Sequence, residues 1–326
     1  LRLLGREPLL RQRYLDLVGR QLVELVDEHA RRGEALGRQP QLAHQQLRQH
    51  LGAPRTLDLT DILNRDSSLL NGFSTEVTPT SASKVDNFRE HLSLGTSINV
   101  TFLAGSKLRD NVQVCKRLNE EGLNPVPHNV ARNFENTMAL EMFLDLLVST
   151  ADVCEVLVIA GGIGRPLGPF SDSLQILNSG LLEKYQIRKV GVAGHPEGSP
   201  DIGKDKLANA ISDKNNWAKN SDMEAYITTQ FCFELSSIIT WEKNIRRDGN
   251  KLPIHIGIPG PATLNTLIKF ATMSGIGPSI RVLTRQTKNL TKLVFTQDPF
   301  YIIEGIAFAK LQDPNCLVEQ FHFYPF

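Results

Sequence analysis

The chain has 326 residues, room for one large domain plus an appendage, and its 41% hydrophobic and 22% charged residues supply material for a sizeable core. A formal net charge of +1 gives no general attraction to nucleic acid or to an anionic membrane, and no apolar run reaches the ~18 residues of a membrane-spanning helix. The first residues carry no signal-peptide core, and Cys115, Cys154, Cys232 and Cys316 lie far apart without zinc-ligand spacing, so reduced thiols in a cytoplasmic protein are expected.

Arginine and glutamine are frequent at the start, and no lysine precedes Lys84. Leu9, Leu10, Tyr14, Leu17, Val18, Leu22, Leu25 and Val26 recur at intervals of three and four, which predicts a helix over 9–32 with one apolar face. Residues 41–51 fit a second helix, interrupted by Pro54. Residues 1–70 therefore read as a helical extension that packs on the main domain or on a partner chain. Its arginines fit a solvated face better than a binding patch.

From residue 71 to 326 short apolar or β-branched runs alternate with longer amphipathic ones. Strands are predicted at 72–78, 96–103, 124–130, 154–161, 189–194, 225–231, 253–259 and 318–324. Helices are predicted at 81–92, 107–121, 133–149, 171–180, 203–219, 236–247 and 262–273, with two more before the last strand. Eight strands with intervening helices point to a closed (β/α)8 TIM barrel. The first strand-to-helix turn lacks GxGxxG, which argues against a dinucleotide-binding open sheet.

Barrel enzymes work at the C-terminal ends of their strands, and that rule selects residues. Glu76, in Phe73-Ser-Thr-Glu-Val-Thr-Pro, is either a general acid whose pKa burial would raise or a structural carboxylate paired with an arginine. Thr101 and Phe102 can contact a ligand or pack the barrel, and His128 can serve catalysis or structure. The run from Ile159 to Pro169 holds four glycines, Gly161 and Gly162 foremost, which permit close backbone approach to a ligand or simply unusual dihedrals. His195-Pro-Glu-Gly-Ser-Pro reads as a ligand wall or a tight turn. Gln230 offers both a donor and an acceptor to an amide-bearing heterocycle. Phe231 and Phe233 are stacking surfaces or core, and Lys219 either reaches an anion or sits in solvent.

These segments in this order resemble the methylenetetrahydrofolate reductase family. The resemblance runs over about residues 73–326 and is carried by Ser74-Thr-Glu76-Val-Thr-Pro, Val100-Thr101-Phe, Pro127-His128, His195-Pro-Glu-Gly-Ser-Pro, Ile227-Thr-Thr-Gln230-Phe-Cys-Phe, Ile256-Gly-Ile-Pro-Gly-Pro and Phe321-His-Phe-Tyr. It implies a (β/α)8 barrel and an oxidoreductase of one-carbon metabolism and methionine biosynthesis. Such an enzyme reduces 5,10-methylenetetrahydrofolate to 5-methyltetrahydrofolate with NADH or NADPH, in most members through FAD. By the resemblance, Glu76 is the general acid that protonates the leaving folate nitrogen. Gln230, Phe231 and Leu264 line the folate site. Thr101, His128, Gly161, Gly162, His195, Asn215 and Lys219 fall at cofactor positions, His195 replacing an aromatic residue and Lys219 matching a flavin-phosphate lysine. The strand-four motif departs from the family's Leu-Arg-Gly-Asp: it reads Ile159-Ala160-Gly161-Gly162, and so lacks both charged groups that contact the flavin. That departure fits relatives that pass hydride directly from nicotinamide to folate. Two other readings share the barrel: a folate-dependent methyl or one-carbon transferase, and a folate-binding subunit whose extension docks to a partner. Assembly into a homo-oligomer is compatible with all three.

Overall fold

The computed structural model describes residue 69 and residues 72–103, 105–199, 202–260, 262–263, 267–268, 296–297 and 300–325. Apart from Leu69, the expected helical extension lies outside the described residues, as does Leu264. The strands are β1 (Phe73–Val77), β2 (Ser97–Val100), β3 (Asn124–Val130), β4 (Glu155–Ile159), β5 (Lys189–Gly194), β6 (Glu224–Thr229), β7 (Ile254–Pro259), β8 (Ala262–Thr263), β9 (Thr296–Gln297) and β10 (Val318–Tyr324). Eight of them close a barrel in the order β1-β10-β7-β6-β5-β4-β3-β2, every pairing parallel. β8 and β9 form a separate antiparallel pair, so Ala262 and Thr263 do not open a helix as their sequence suggests.

The helices are α1 (Pro79–Ala82), α2 (Leu108–Glu120), α3 (Thr137–Ala151), α4 (Ser173–Leu177), α5 (Leu181–Lys184), α6 (Lys204–Lys219), α7 (Leu235–Arg247) and α8 (Phe300–Gln312). Local chemistry sets their ends. The Asn136 side chain accepts from Ala139 N–H to start α3, and Asp152 leaves it in the left-handed region at φ 48°. The helix expected over 81–92 is broken. A capping box between Thr78 and Ser81 starts α1, but Arg117 then takes the carbonyls of Ala82, Val85 and Asp86, which a continuing helix would need for itself. Chain reappears as one 3-10 turn at Phe88–Glu90, where Glu121 accepts from Phe88 N–H. The helix expected over 171–180 shortens to α4, and a separate short helix, α5, begins beyond it after Gly180 at φ 72°. Among the described residues no helix is long and apolar enough to cross a membrane.

Strand residues alternate between two environments, as a pleated strand requires. Val77, Ile98, Val100, Val156, Val158, Val190, Val192, Ile254, Ile256 and Ile258 face outward and join Leu118, Phe143 and Leu144 of the helices in one apolar core. The inward set includes most of the strands' polar residues, together with Leu157. Near the strands' N-terminal ends Asn124 donates to Glu155 at 2.6 Å, and Lys189 pairs with Glu155 at 3.5 Å. Lys189 also lies over the Tyr226 ring at 4.9 Å, and Tyr226 stacks on His255 at 4.1 Å. This layer plugs the lower barrel and leaves chemistry to the opposite rim.

Candidate active site

Glu76 sits on β1 two residues past Ser74, so both side chains turn into the barrel. Ser74 Oγ lies 2.8 Å from His322 Nδ1, and His322 Nε2 lies 3.9 Å from Glu76 Oε2. His322 is 1% exposed and the Glu76 side chain 22%, so the carboxylate is the part of this chain of groups that reaches the open rim. The distance of 3.9 Å is too long for a hydrogen bond and becomes an ion pair only when the ring is protonated.

His128, on β3, is 5% exposed, and neither ring nitrogen has a partner among the described residues. Burial lowers its pKa to about 4, with Glu76 raising it and His322 lowering it, so the ring is neutral at pH 7. A neutral imidazole carries one donor and one acceptor, and here both are unused. Thr101 follows β2 and is fixed to β1 by its N–H on Val77 O at 2.8 Å, while Asn111 of α2 donates to its carbonyl. Its Oγ1 is buried without a partner. Buried polar atoms are normally paired, so unpaired ones gathered at a barrel rim mark places where a ligand can bond.

Across the mouth, the Gln230 N–H bonds Gly194 O at 2.9 Å, and its side-chain oxygen accepts from Phe231 N–H at 3.0 Å. Phe231 packs edge-on against Tyr324 at 5.3 Å and Phe233 at 6.0 Å, a core role for its ring. Gly257 is what allows β6 to lie so near: a Cβ there would come within 2.5 Å of Thr229 O and 2.8 Å of Phe231 N. The Tyr324 hydroxyl ties the same point by donating to Thr229 O at 2.9 Å.

The glycines after β4 divide in role. Gly161 has φ +94°, and a Cβ would lie 2.4 Å from Val130 Cγ1, so the chain's own packing demands glycine there. Gly162 faces open space. Arg132, just past β3, stitches this loop down by donating to Ser171 O at 2.8 Å and Ile163 O at 3.1 Å. Its backbone also pairs with Ala160 and Leu167. An arginine from the neighbouring strand end thus stands against the loop whose first residues, Ala160 to Gly162, carry none.

His195, just after β5, has its pKa lowered to about 4 by burial and then by the positive charge of Lys214. Two other positions are corrected. Asn215 clamps the turn before β7: its Nδ2 donates to Asn250 Oδ1 at 2.7 Å and its Oδ1 accepts from Lys251 N–H at 2.8 Å. Lys219 is exposed at the last turn of α6. The end of α6 lies by the strands' N-terminal ends, because the helix returns antiparallel to β5, so neither residue reaches the rim. The lysine that does approach it is Lys214, whose Nζ donates to Ala193 O at 2.9 Å. Sequence reading also passed over Ser74, Arg132 and His322. For His322 a signal existed: Phe321-His-Phe-Tyr alternates as a strand, which sends His322 to the same face as Tyr324.

Glu76, Thr101, His128, Gly161, Gly162, His195 and Gln230 therefore stand at or just beyond the C-terminal ends of six strands of one closed barrel. No family model matches the chain. Solved structures similar to it include tryptophan synthase from M. tuberculosis in an open form, 13% identical over 78% of this chain and 100% of that one, with a TM-score of 0.38. Dihydropteroate synthase from Thermus thermophilus is 12% identical over 78% of this chain and 87% of that one, also with a TM-score of 0.38.

Proposed function

We propose that the chain is an oxidoreductase that reduces 5,10-methylenetetrahydrofolate to 5-methyltetrahydrofolate, with NADH or NADPH as electron donor. The observation that supports this reading most is the rim cluster of Glu76, backed at 3.9 Å by His322, with the unpartnered polar atoms of Thr101 and His128. Reduction of a methylene iminium needs a hydride at carbon and a proton at the nitrogen released when the ring opens. Glu76 is the group that carries that proton, since its carboxyl alone reaches the opening from this buried set. His322, anchored by Ser74 at 2.8 Å, keeps the carboxyl turned toward the mouth. Gln230 takes the folate's amide-bearing ring through its side-chain amide. The neutral His128 and Thr101 hold the flat ring of the hydride donor by hydrogen bonds to its edge.

FAD fits this rim in one respect and departs in another. Thr101 Oγ1 and the His128 nitrogens are unused and suit the edge of a flavin ring, while Ala160 and Gly162, at the end of β4, bring no charged side chain. When bound there, FAD would supply a relay for the hydride, and Thr101, His128 and His195 would hold it. The absorption spectrum of freshly purified protein separates the two routes: flavin bands mean the relay, and a colourless active preparation means direct transfer. The reading as a whole is tested by oxidation of NADH or NADPH that depends on methylenetetrahydrofolate. Turnover of a methyl donor without nicotinamide oxidation would point to the transferase instead. Binding of folate with no turnover would point to a binding subunit.

A further inference from the structure

Five large apolar side chains stand exposed among the described residues, and four of them surround one loop. The loop runs from Ala131 to Asn136, between β3 and α3. On one side Asn133 Nδ2 donates to Phe102 O at 3.3 Å, which sets Leu103 beside it. On the other, Leu167 N–H donates to Arg132 O at 2.9 Å, and Gly168 packs so closely on Glu135 O that no Cβ would fit. Met138 and Met142 carry the patch down α3, one helical turn apart on the same face. All four of these side chains are more than half exposed. Single exposed apolar residues are ordinary, but a contiguous group marks a surface that another element covers. The fifth, Leu94, stands apart just before β2, at the opposite end of the barrel.

Where the rest of the chain attaches narrows what covers it. Residues 269–295 lie between β8 and β9, a pair that follows β7, four strands around the barrel from β3. Residues 1–68 lead instead into Leu69, which is buried in the core, and then into β1, two strands from β3. Their sequence carries a matching surface: Leu10, Tyr14, Leu17, Val18, Leu22 and Leu25 recur at helical spacing. A helix with such a stripe is stabilised chiefly by burying it. Arg11, Arg13 and Arg20 flank its first half, and Glu135 and Asp145 are exposed beside the patch. Residues 33–68 span about 120 Å when fully extended, so reach does not limit the contact. We propose that Leu103, Met138, Met142 and Leu167, on the β3 side of the barrel mouth, form the docking surface for this chain's own amphipathic segment 9–32. The stripe covers the two methionines, and the arginines meet the acids at the edge. Docking there brings the extension to the lip of the mouth, whatever reaction the rim carries out.

Trypsin digestion of the full chain, read by mass spectrometry, tests it. Arginine supplies every trypsin site before Lys84, and Arg11, Arg13 and Arg20 lie within the docking segment. Cleavage tracks the fraction of time a segment is undocked, so the wild-type chain should resist cutting at these three sites. Met138→Glu combined with Met142→Glu places two carboxylates under the stripe. It should speed cleavage there about tenfold or more. Both methionines are exposed, so the barrel itself should melt as the wild type does. Leu94→Glu, at the far end of the barrel, should leave the protection as it is. Equal cleavage rates in the wild type and the double variant overturn the proposal, and so does lost protection in Leu94→Glu. A second copy of the chain is the rival occupant. Protection that fades on dilution, with a wild-type dimer in sedimentation that the double variant dissociates, would assign the patch to self-association and overturn docking within one chain. Protection that holds over about a hundredfold dilution supports it.

Discussion

Acid should destabilise this protein in a window set by His128. The ring is buried and neutral in the folded chain, with a pKa lowered to about 4, against about 6.5 for an exposed histidine. Between those two values the unfolded chain binds a proton that the folded chain refuses. Stability is therefore full above about pH 6.5, falls as pH drops toward 4, and suffers no further loss from this residue below that. The gap between the two values corresponds to about 3 kcal/mol at most, since each tenfold change in proton affinity is worth about 1.4 kcal/mol. His255, lowered to about 3 by burial and then by Lys189 and His322, adds a decline of the same sign. The assay is urea unfolding at a series of pH values from about 7.5 to about 4.5, read as free energy against pH, for the wild type and for His128→Gln. Glutamine fills similar space without titrating, so the slope of the variant near pH 5 should be shallower by close to one proton, about 1.4 kcal/mol per pH unit. Identical slopes would mean that His128 is open to water, and the picture of a neutral ring with unused hydrogen-bonding atoms would go with it.

Three further outcomes follow from the rim. Glu76→Gln should keep ligand binding and lower turnover by about two to four orders of magnitude, and an unchanged kcat would remove Glu76 from proton transfer. Gln230→Ala should weaken folate more than nicotinamide binding, and equal losses in paired titrations would count against its assigned role. Gly257→Ala should cost about 1–3 kcal/mol, because the new Cβ meets the backbone at Thr229 O, 2.5 Å away, which cannot yield as a side-chain tip can. Its melting temperature should drop by several degrees and its KM for folate should rise as the end of β6 shifts; a wild-type melt would show the contact to be soft.

All eight barrel strands were legible because a strand's apolar period is written in adjacent residues, as in Val190 and Val192 or Ile254, Ile256 and Ile258. The ends of α2 and α6 were legible for the same reason, within a residue. So was the short set of rim residues, because strand ends in a barrel point to one mouth. Legibility failed wherever a partner distant in sequence decided the outcome. Arg117 unmade the helix expected over 81–92 by claiming its carbonyls from 31 to 35 residues away. Asn215 and Lys219 were drawn toward the cofactor by resemblance, but helix phase and direction turned them to the far end, while Lys214 alone climbed back to Ala193. His322 reached Glu76 across 246 residues of chain because β10 closes the barrel against β1. Sequence determined which residues form strands and which of them end at the rim, since those depend on neighbours along the chain. Tertiary structure decided which side chains meet there, since closing the barrel brings together residues that share no local pattern.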